Sequence, residues 1–207
     1  MRNRSSLKID EFGAGSRVSG SEYRTVRSMA RFSSASMKSV GLLYRISNWY
    51  RPDLIIELGT GLGISTAGLA LGAGDARLIS LEGSPQKAEF ARNLLASLDI
   101  GNAEILTALF DDLLPGLVSR ARDKKVLVFL DGNHRYEPSI AYVDLLLKGG
   151  AEELMIIMDD IHWSDGMERA WEEIKQKEEI RVSIDLFFHG ILLLRKDLQK
   201  ENYIISL

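Results

Sequence analysis

The chain has 207 residues, of which 45% are hydrophobic, enough to bury one substantial core, and it carries a formal net charge of −3. It holds no cysteine, which excludes a disulfide framework and a thiolate metal site. No apolar run approaches the roughly 18 residues of a membrane span, and the opening MRNRSSLKIDEFGAGS lacks the apolar centre of a secretory leader, so a cytoplasmic protein with no membrane partner is expected.

Residues 1–38 hold eight Lys or Arg against three acids. No aromatic-interleaved basic motif accompanies them, so no nucleic-acid partner is expected. Residues 1–35 read as a flap or leader: small residues such as Gly13, Gly15, Ser16 and Gly20 suit a mobile flap, in which Phe12 and Tyr23 could meet a substrate. Residues 36–207 read as the main domain. There, SMKSVGLLYRISNWY places Val40, Leu43, Ile46 and Tyr50 on one helical face, and Arg51-Pro52 ends the helix. LIIEL follows as a buried strand, with a helix over Ser65 to Leu71 and a second strand in RLISLE. SPQKAEFARNLLASL predicts a helix with Ser84 as N-cap and Pro85 in its first turn.

Strand and helix then alternate through AEILTA, VLVFLD, SIAYVDLLLKG, ELMIIMDD and MERAWEEIKQK, the last with Met167, Trp171 and Ile174 on one face. Strands that are apolar throughout, rather than at alternate residues, indicate a mostly parallel sheet covered on both faces, hence a doubly wound, Rossmann-like α/β domain. VSIDLF and ILLLR, separated by Phe188-His189-Gly190, read as an antiparallel hairpin at one edge of that sheet.

Ligands of a doubly wound sheet bind beyond the carboxyl ends of its strands. Here those ends carry Glu57, Glu82, Asp131 and the pair Asp159-Asp160. A single acid at a strand end is commonly a helix cap, and Asp160 or Asp165 could cap the helix near Ser164 while Asp131 supports the DGNH turn. Four strands ending in acids ask for more than capping.

The turn after LIIEL has glycines at Gly59, Gly61 and Gly63, the kind of turn that holds a phosphate on backbone N–H groups. Glu57 stands where it would repel one, at a cost on the order of a kcal/mol or more at roughly 4–6 Å. S-adenosylmethionine has an ammonium and a sulfonium and no phosphate, so it suits this turn better than a nicotinamide dinucleotide. The glycines let the backbone approach its methionine portion, and Ser65 at the helix start can bind the carboxylate. Glu82 lies about 20 residues beyond the turn, the spacing of an acid that takes ribose hydroxyls.

The motifs ELGTGLGIST, LISLEGSP, LFDDLLPGL, FLDGNHRYEPS and MDDIHWSDG stand in the order found in class I S-adenosylmethionine-dependent O-methyltransferases. The chain resembles the bacterial branch carrying a DGxHxYE motif, similar to the catechol, caffeoyl-CoA and macrolide-sugar O-methyltransferases, over roughly residues 36–195. The resemblance implies that Glu57, Gly59 and Ser65 hold the methionine part, that Glu82 takes the ribose, and that Phe110 and Asp111 lie beside the adenine. Asp131 is counted with the cofactor site. It also implies a divalent cation, Mg²⁺ by its preference for oxygen ligands, on Asp131, Asp159 and Asp160.

Asn133 stands where some members carry a basic carboxylate, and His134 where the catechol-type enzymes carry a lysine. His134 is therefore the candidate general base, with His162 the lesser one. Trp163 either lines the acceptor site or packs. The expected partner is a small-molecule acceptor, and the resemblance suggests a homodimer, with Tyr203 and the YIISL end as interface candidates. A catalytically silent S-adenosylmethionine-binding module and a nicotinamide-dependent oxidoreductase are the competing readings.

Overall fold

The computed structural model describes residues 6–8, 23–25 and 37–206. Strands β1 (Ser6–Lys8) and β2 (Tyr23–Thr25) pair antiparallel, with Leu7 opposite Arg24. Phe12 and the small residues of the expected flap lie outside the described residues.

The main domain runs α1 (Met37–Tyr50), β3 (Leu54–Leu58), α2 (Ile64–Gly72), β4 (Arg77–Glu82), α3 (Pro85–Ser97), β5 (Ala103–Thr107), α4 (Phe110–Arg120), β6 (Lys125–Leu130), α5 (Tyr136–Leu147), β7 (Glu153–Asp159), α6 (Asp165–Gln176), β8 (Val182–Asp185), β9 (His189–Leu194) and β10 (Glu201–Ile204). One eight-stranded sheet has the order β10-β8-β9-β7-β6-β3-β4-β5. Strands β3 to β7 are mutually parallel, and β9 enters antiparallel to β7. This is the expected mostly parallel Rossmann-like sheet. Its order reverses between β3 and β6, where a doubly wound sheet opens a crevice for ligand.

Both faces of the sheet are covered, which explains the continuous apolarity of its strands. Ile56, Val128, Ile156 and Met158 meet Leu114, Val143, Trp171 and Ile174 from α4, α5 and α6. Ile55, Leu127, Phe129 and Ile157 meet Leu43, Tyr50, Leu69 and Ala73 from the α1 and α2 side. Met167, Trp171 and Ile174 form one buried face of α6 as their spacing requires.

Three details differ from the sequence-based expectation. Ser84 is the N-cap of α3, with Pro85 as the first helical residue, but its hydroxyl makes no capping bond. The cap of α6 is Ser164 itself, whose Oγ accepts from the Met167 N–H at 3.3 Å, so neither Asp160 nor Asp165 has that role. The β8–β9 hairpin does form, but His189 and Gly190 begin β9 rather than the turn, and β10 lies beyond the hairpin as the outermost strand, parallel to β8.

Candidate functional site

The carboxyl ends of β3, β4, β6 and β7 lie at one edge of the sheet, and the glycine turn crosses the first two. Gly59 and Thr60 donate to the Leu81 carbonyl at 2.9 and 3.2 Å, which ties the turn to β4. Gly59 has φ +104°, and a Cβ there would lie 1.9 Å from the Asp131 carbonyl oxygen across the sheet's reversal point. Only glycine allows this approach. Gly61, at φ +54°, faces open space, and Gly63, at φ +79°, is the N-cap of α2.

Glu57 is fully buried. Its Oε2 accepts from the Thr66 hydroxyl at 2.5 Å and the Ser80 hydroxyl at 2.6 Å, while its Oε1 has no hydrogen-bond partner among the described residues. Burial pushes its pKa up to about 7, against the hydroxyls of Ser80, Thr66 and Ser65, which favour the ionised form, with Asp131 adding to the rise. Ser65 thus faces Glu57 at the head of α2.

Glu82 is also buried and presents both carboxylate oxygens to the glycine turn and the next helix. Oε2 accepts from the Gly61 N–H and Oε1 from the Ser84 N–H, each at 2.9 Å. Two backbone donors fix the carboxylate in place and leave lone pairs on each oxygen for a ligand. The neighbouring Ser84 Oγ is buried without a partner among the described residues.

Phe110 opens α4 half-buried, edge-on to Tyr142 with ring centroids 6.0 Å apart. A Cβ at Gly132 would come within 2.9 Å of the Phe110 ring, so the ring lies flush against the turn that follows β6. Asp111 is exposed in the first turn of α4. Asn133, at φ +54°, donates from Nδ2 to the Tyr142 hydroxyl at 3.0 Å. Its place beside the aromatic pair is set by tertiary contact and carries no sequence signal.

His134 Nε2 lies 3.7 Å from Asp131 Oδ1, and both side chains keep about a fifth of their surface exposed, 20% and 19%. Burial works to lower the imidazole's pKa, but Asp131, Asp160 and the Asp159 carbonyl outweigh it, so the net direction is upward. Asp160 is half-buried at φ +54°, and its pKa is raised by burial against the opposing pull of His134.

The three acids implied for a cation stand at the ends of β6 and β7 in different surroundings. The Asp159 carboxylate is fully buried, with Oδ1 3.2 Å from His189 Nε2, and burial keeps that imidazole's pKa below its ordinary value. Among the described residues no group of three or more His, Cys, Asp or Glu side chains is arranged to hold a metal. His189, expected in a turn, was missed as a site residue. The antiparallel register that places it opposite Asp159 was its only signal.

His162 points elsewhere as well. It bridges Asp185 Oδ2 at 2.9 Å and Glu168 Oε1 at 3.1 Å and stacks on Phe187, which holds φ +72°. That makes it a tie between the hairpin and α6. Trp163 is partly exposed, and its N–H donates to the Asp160 carbonyl at 2.9 Å.

A parallel sheet, a glycine turn at its reversal point and buried acids closing its first two strands define a nucleoside-binding α/β domain. Residues 56–161 match the family described as a methyltransferase domain, and the chain belongs to that family. No curated protein matches the chain at a significant level. Among solved structures it is similar to cofactor-bound Rv0187 from MTB, with 23% identity, TM-score 0.68, and 79% of this chain and 83% of that one covered. It is also similar to an O-methyltransferase from Bacillus cereus in complex with SAH, with 21% identity, TM-score 0.65, and 83% and 87% covered. A third is the O-methyltransferase TomG from Streptomyces achromogenes in complex with SAM, with 22% identity, TM-score 0.65, and 79% and 82% covered. At these identities the three structures establish a shared fold.

Proposed function

We propose that this protein transfers the methyl group of S-adenosylmethionine to a hydroxyl oxygen of a small-molecule acceptor. The observation that carries the reading is Glu57: a fully buried carboxylate beneath a glycine turn, with one oxygen saturated by two hydroxyls and the other without a partner among the described residues. An orphaned buried acceptor is costly, and a ligand ammonium satisfies it, whereas a pyrophosphate would add to the repulsion. The solved O-methyltransferases that share this fold, in complex with SAM or SAH, support the same reading.

Bound S-adenosylmethionine supplies an electrophilic methyl on a sulfonium; the protein supplies position and a proton acceptor. Glu57 Oε1 would receive the ammonium, Glu82 the ribose hydroxyls, and Phe110 would lie against the adenine. The acceptor hydroxyl would give its proton to His134, whose basicity Asp131 and Asp160 raise. The acceptor oxygen then bonds to the methyl carbon as the carbon–sulfur bond breaks. Orientation of this kind supplies several kcal/mol of the barrier. Because Asp159 faces His189, the chemistry is assigned to these residues with no step through a cation.

The test is a panel of phenols, catechols and sugars incubated with labelled S-adenosylmethionine, alongside calorimetric titration with S-adenosylhomocysteine. Label should reach at least one hydroxyl acceptor. Glu82→Ala should stay folded and bind S-adenosylhomocysteine at least about tenfold more weakly, the loss of a charge-assisted hydrogen bond. Tight binding with no transfer to any acceptor would instead identify a silent module, and stronger binding of NADH would remove the reading altogether.

A further inference from the structure

The turn between β8 and β9 carries two phenylalanines side by side. Phe187 and Phe188 are each 62% exposed, and their rings meet edge to face with centroids 5.0 Å apart. Packing in the core does not account for side chains this exposed. Phe187 also holds φ +72°, a region of backbone space that bulky side chains rarely adopt.

The surroundings enforce that conformation. The Phe187 N–H donates to Asp185 Oδ1 at 2.8 Å, the Phe188 N–H to the Leu186 carbonyl at 3.0 Å, and the Leu186 N–H to the His189 carbonyl at 2.9 Å. The His162 ring stacks on Phe187 with centroids 5.4 Å apart, and Asp185 and Glu168 hold that imidazole from both sides. A strained residue fixed by so many contacts, yet left facing solvent, marks a conformation that is used.

Its place in the fold says for what. Because β9 runs antiparallel to β7, the turn emerges at the carboxyl end of β7, the ligand-binding edge of the sheet. The Asp160 N–H donates to the Phe188 carbonyl at 2.7 Å, and the Asp160 carbonyl accepts from the Trp163 N–H at 2.9 Å, so Phe188 and Trp163 flank Asp160 along the backbone. Asp160 in turn lies close enough to His134 for each to bias the other's ionisation. The phenylalanine pair therefore stands beside the group assigned to accept the proton.

We propose that Phe187 and Phe188 form a wall of the acceptor site that selects a hydroxyl carried on a flat apolar ring over a hydroxyl of a sugar. This assignment rests on the methyl-transfer reading above. An edge-to-face pair offers a further ring the same stacking that it makes internally. A polyol would set hydroxyls against hydrocarbon, and the neighbouring acids Asp185 and Glu168 are already engaged with His162.

Calorimetric titration of 2-naphthol and of methyl glucoside into the complex with S-adenosylhomocysteine reads acceptor binding without chemistry. Naphthol should bind at least about tenfold more tightly than the glucoside. Phe188→Ala, and Phe187→Asn with a residue that tolerates this backbone, should each weaken naphthol binding about fivefold or more, while Phe188→Tyr stays within about twofold. All three variants should keep the wild-type circular dichroism spectrum and bind S-adenosylhomocysteine with an unchanged Kd, because these exposed rings lie on the acceptor side. Naphthol that fails to bind, that binds the wild type and both ring-removing variants equally, or that binds no better than the glucoside overturns the proposal. Naphthol held through these rings but never methylated once S-adenosylmethionine replaces S-adenosylhomocysteine supports the apolar wall and overturns the transfer reading alone.

Discussion

Glu57 holds opposing influences in one carboxylate. Burial lifts its pKa from 4.5 to about 7, against three hydroxyls that favour the ionised form. Below pH 4.5 both folded and unfolded chains keep the proton. As pH rises from there to about 7 the unfolded chain releases it first, so the folded state loses stability across that window, by about 3 kcal/mol in all. A cationic ligand selects the ionised form, so its affinity should rise over the same window. The free protein should therefore melt lower at pH 8 than at pH 5.5 relative to Glu57→Gln, while the stabilisation given by S-adenosylhomocysteine grows with pH and flattens in Glu57→Gln. A ligand-induced shift that is the same at both pH values would count against an ammonium on Glu57. The acid itself was legible, because it interrupts an apolar strand just before a glycine turn. Its partners Thr66 and Ser80, 9 and 23 residues away, were not, because α2 and the β3–β4 register bring them to it.

The glycine turn shows the same division between what is local and what is tertiary. Three alternate glycines after a strand announce a turn, yet they do unlike work. At Gly59 a side chain would meet the backbone of Asp131 at 1.9 Å, which cannot move aside without separating β3 from β6. At Gly61 the space is open and only the backbone conformation is specialised. Gly59→Ala should therefore cost on the order of 3 kcal/mol in urea unfolding, against about 1 kcal/mol for Gly61→Ala. Equal losses would mean that β3 and β6 are not held together at this point. Five of the six described helices and the five parallel strands were legible from long apolar patterns, but α4 was not, because the Pro115 inside it reads as a stop. The outermost strand was not: ENYI is four residues long and exposed throughout, so no buried face imprints a period on it. The hairpin turn shifted for a related reason, since Asp159 opposite His189 extends β9 through residues that looked like punctuation.

Over the whole molecule, the doubly wound topology gathers acids distant in sequence at one edge, and the sheet register then decides which of them act together. The ladder pairs Leu130 with Met158 and Asp159 with His189, so Asp131, Asp159 and His189 follow one another across β6, β7 and β9. That row distributes the carboxylates between two imidazoles: Asp159 faces His189 at 3.2 Å, and Asp131 faces His134 at 3.7 Å. Like charges brought together need neutralising, by protons, a cation or basic side chains, and His134, whose pKa is raised, stands beside Asp131. The sequence told of acids on these strands but not of the histidine arriving antiparallel from the far side of the hairpin. With an acceptor identified, chelation should leave the rate of methyl transfer within about twofold, because assembling a hard-cation site would first require Asp159 to leave His189. Added Mg²⁺ should likewise leave the melting temperature unchanged. Activity lost to a chelator and restored by Mg²⁺, together with a Mg²⁺-dependent melting shift that Asp159→Asn abolishes, would show instead that the cation displaces His189 and that the carboxylates regroup around it.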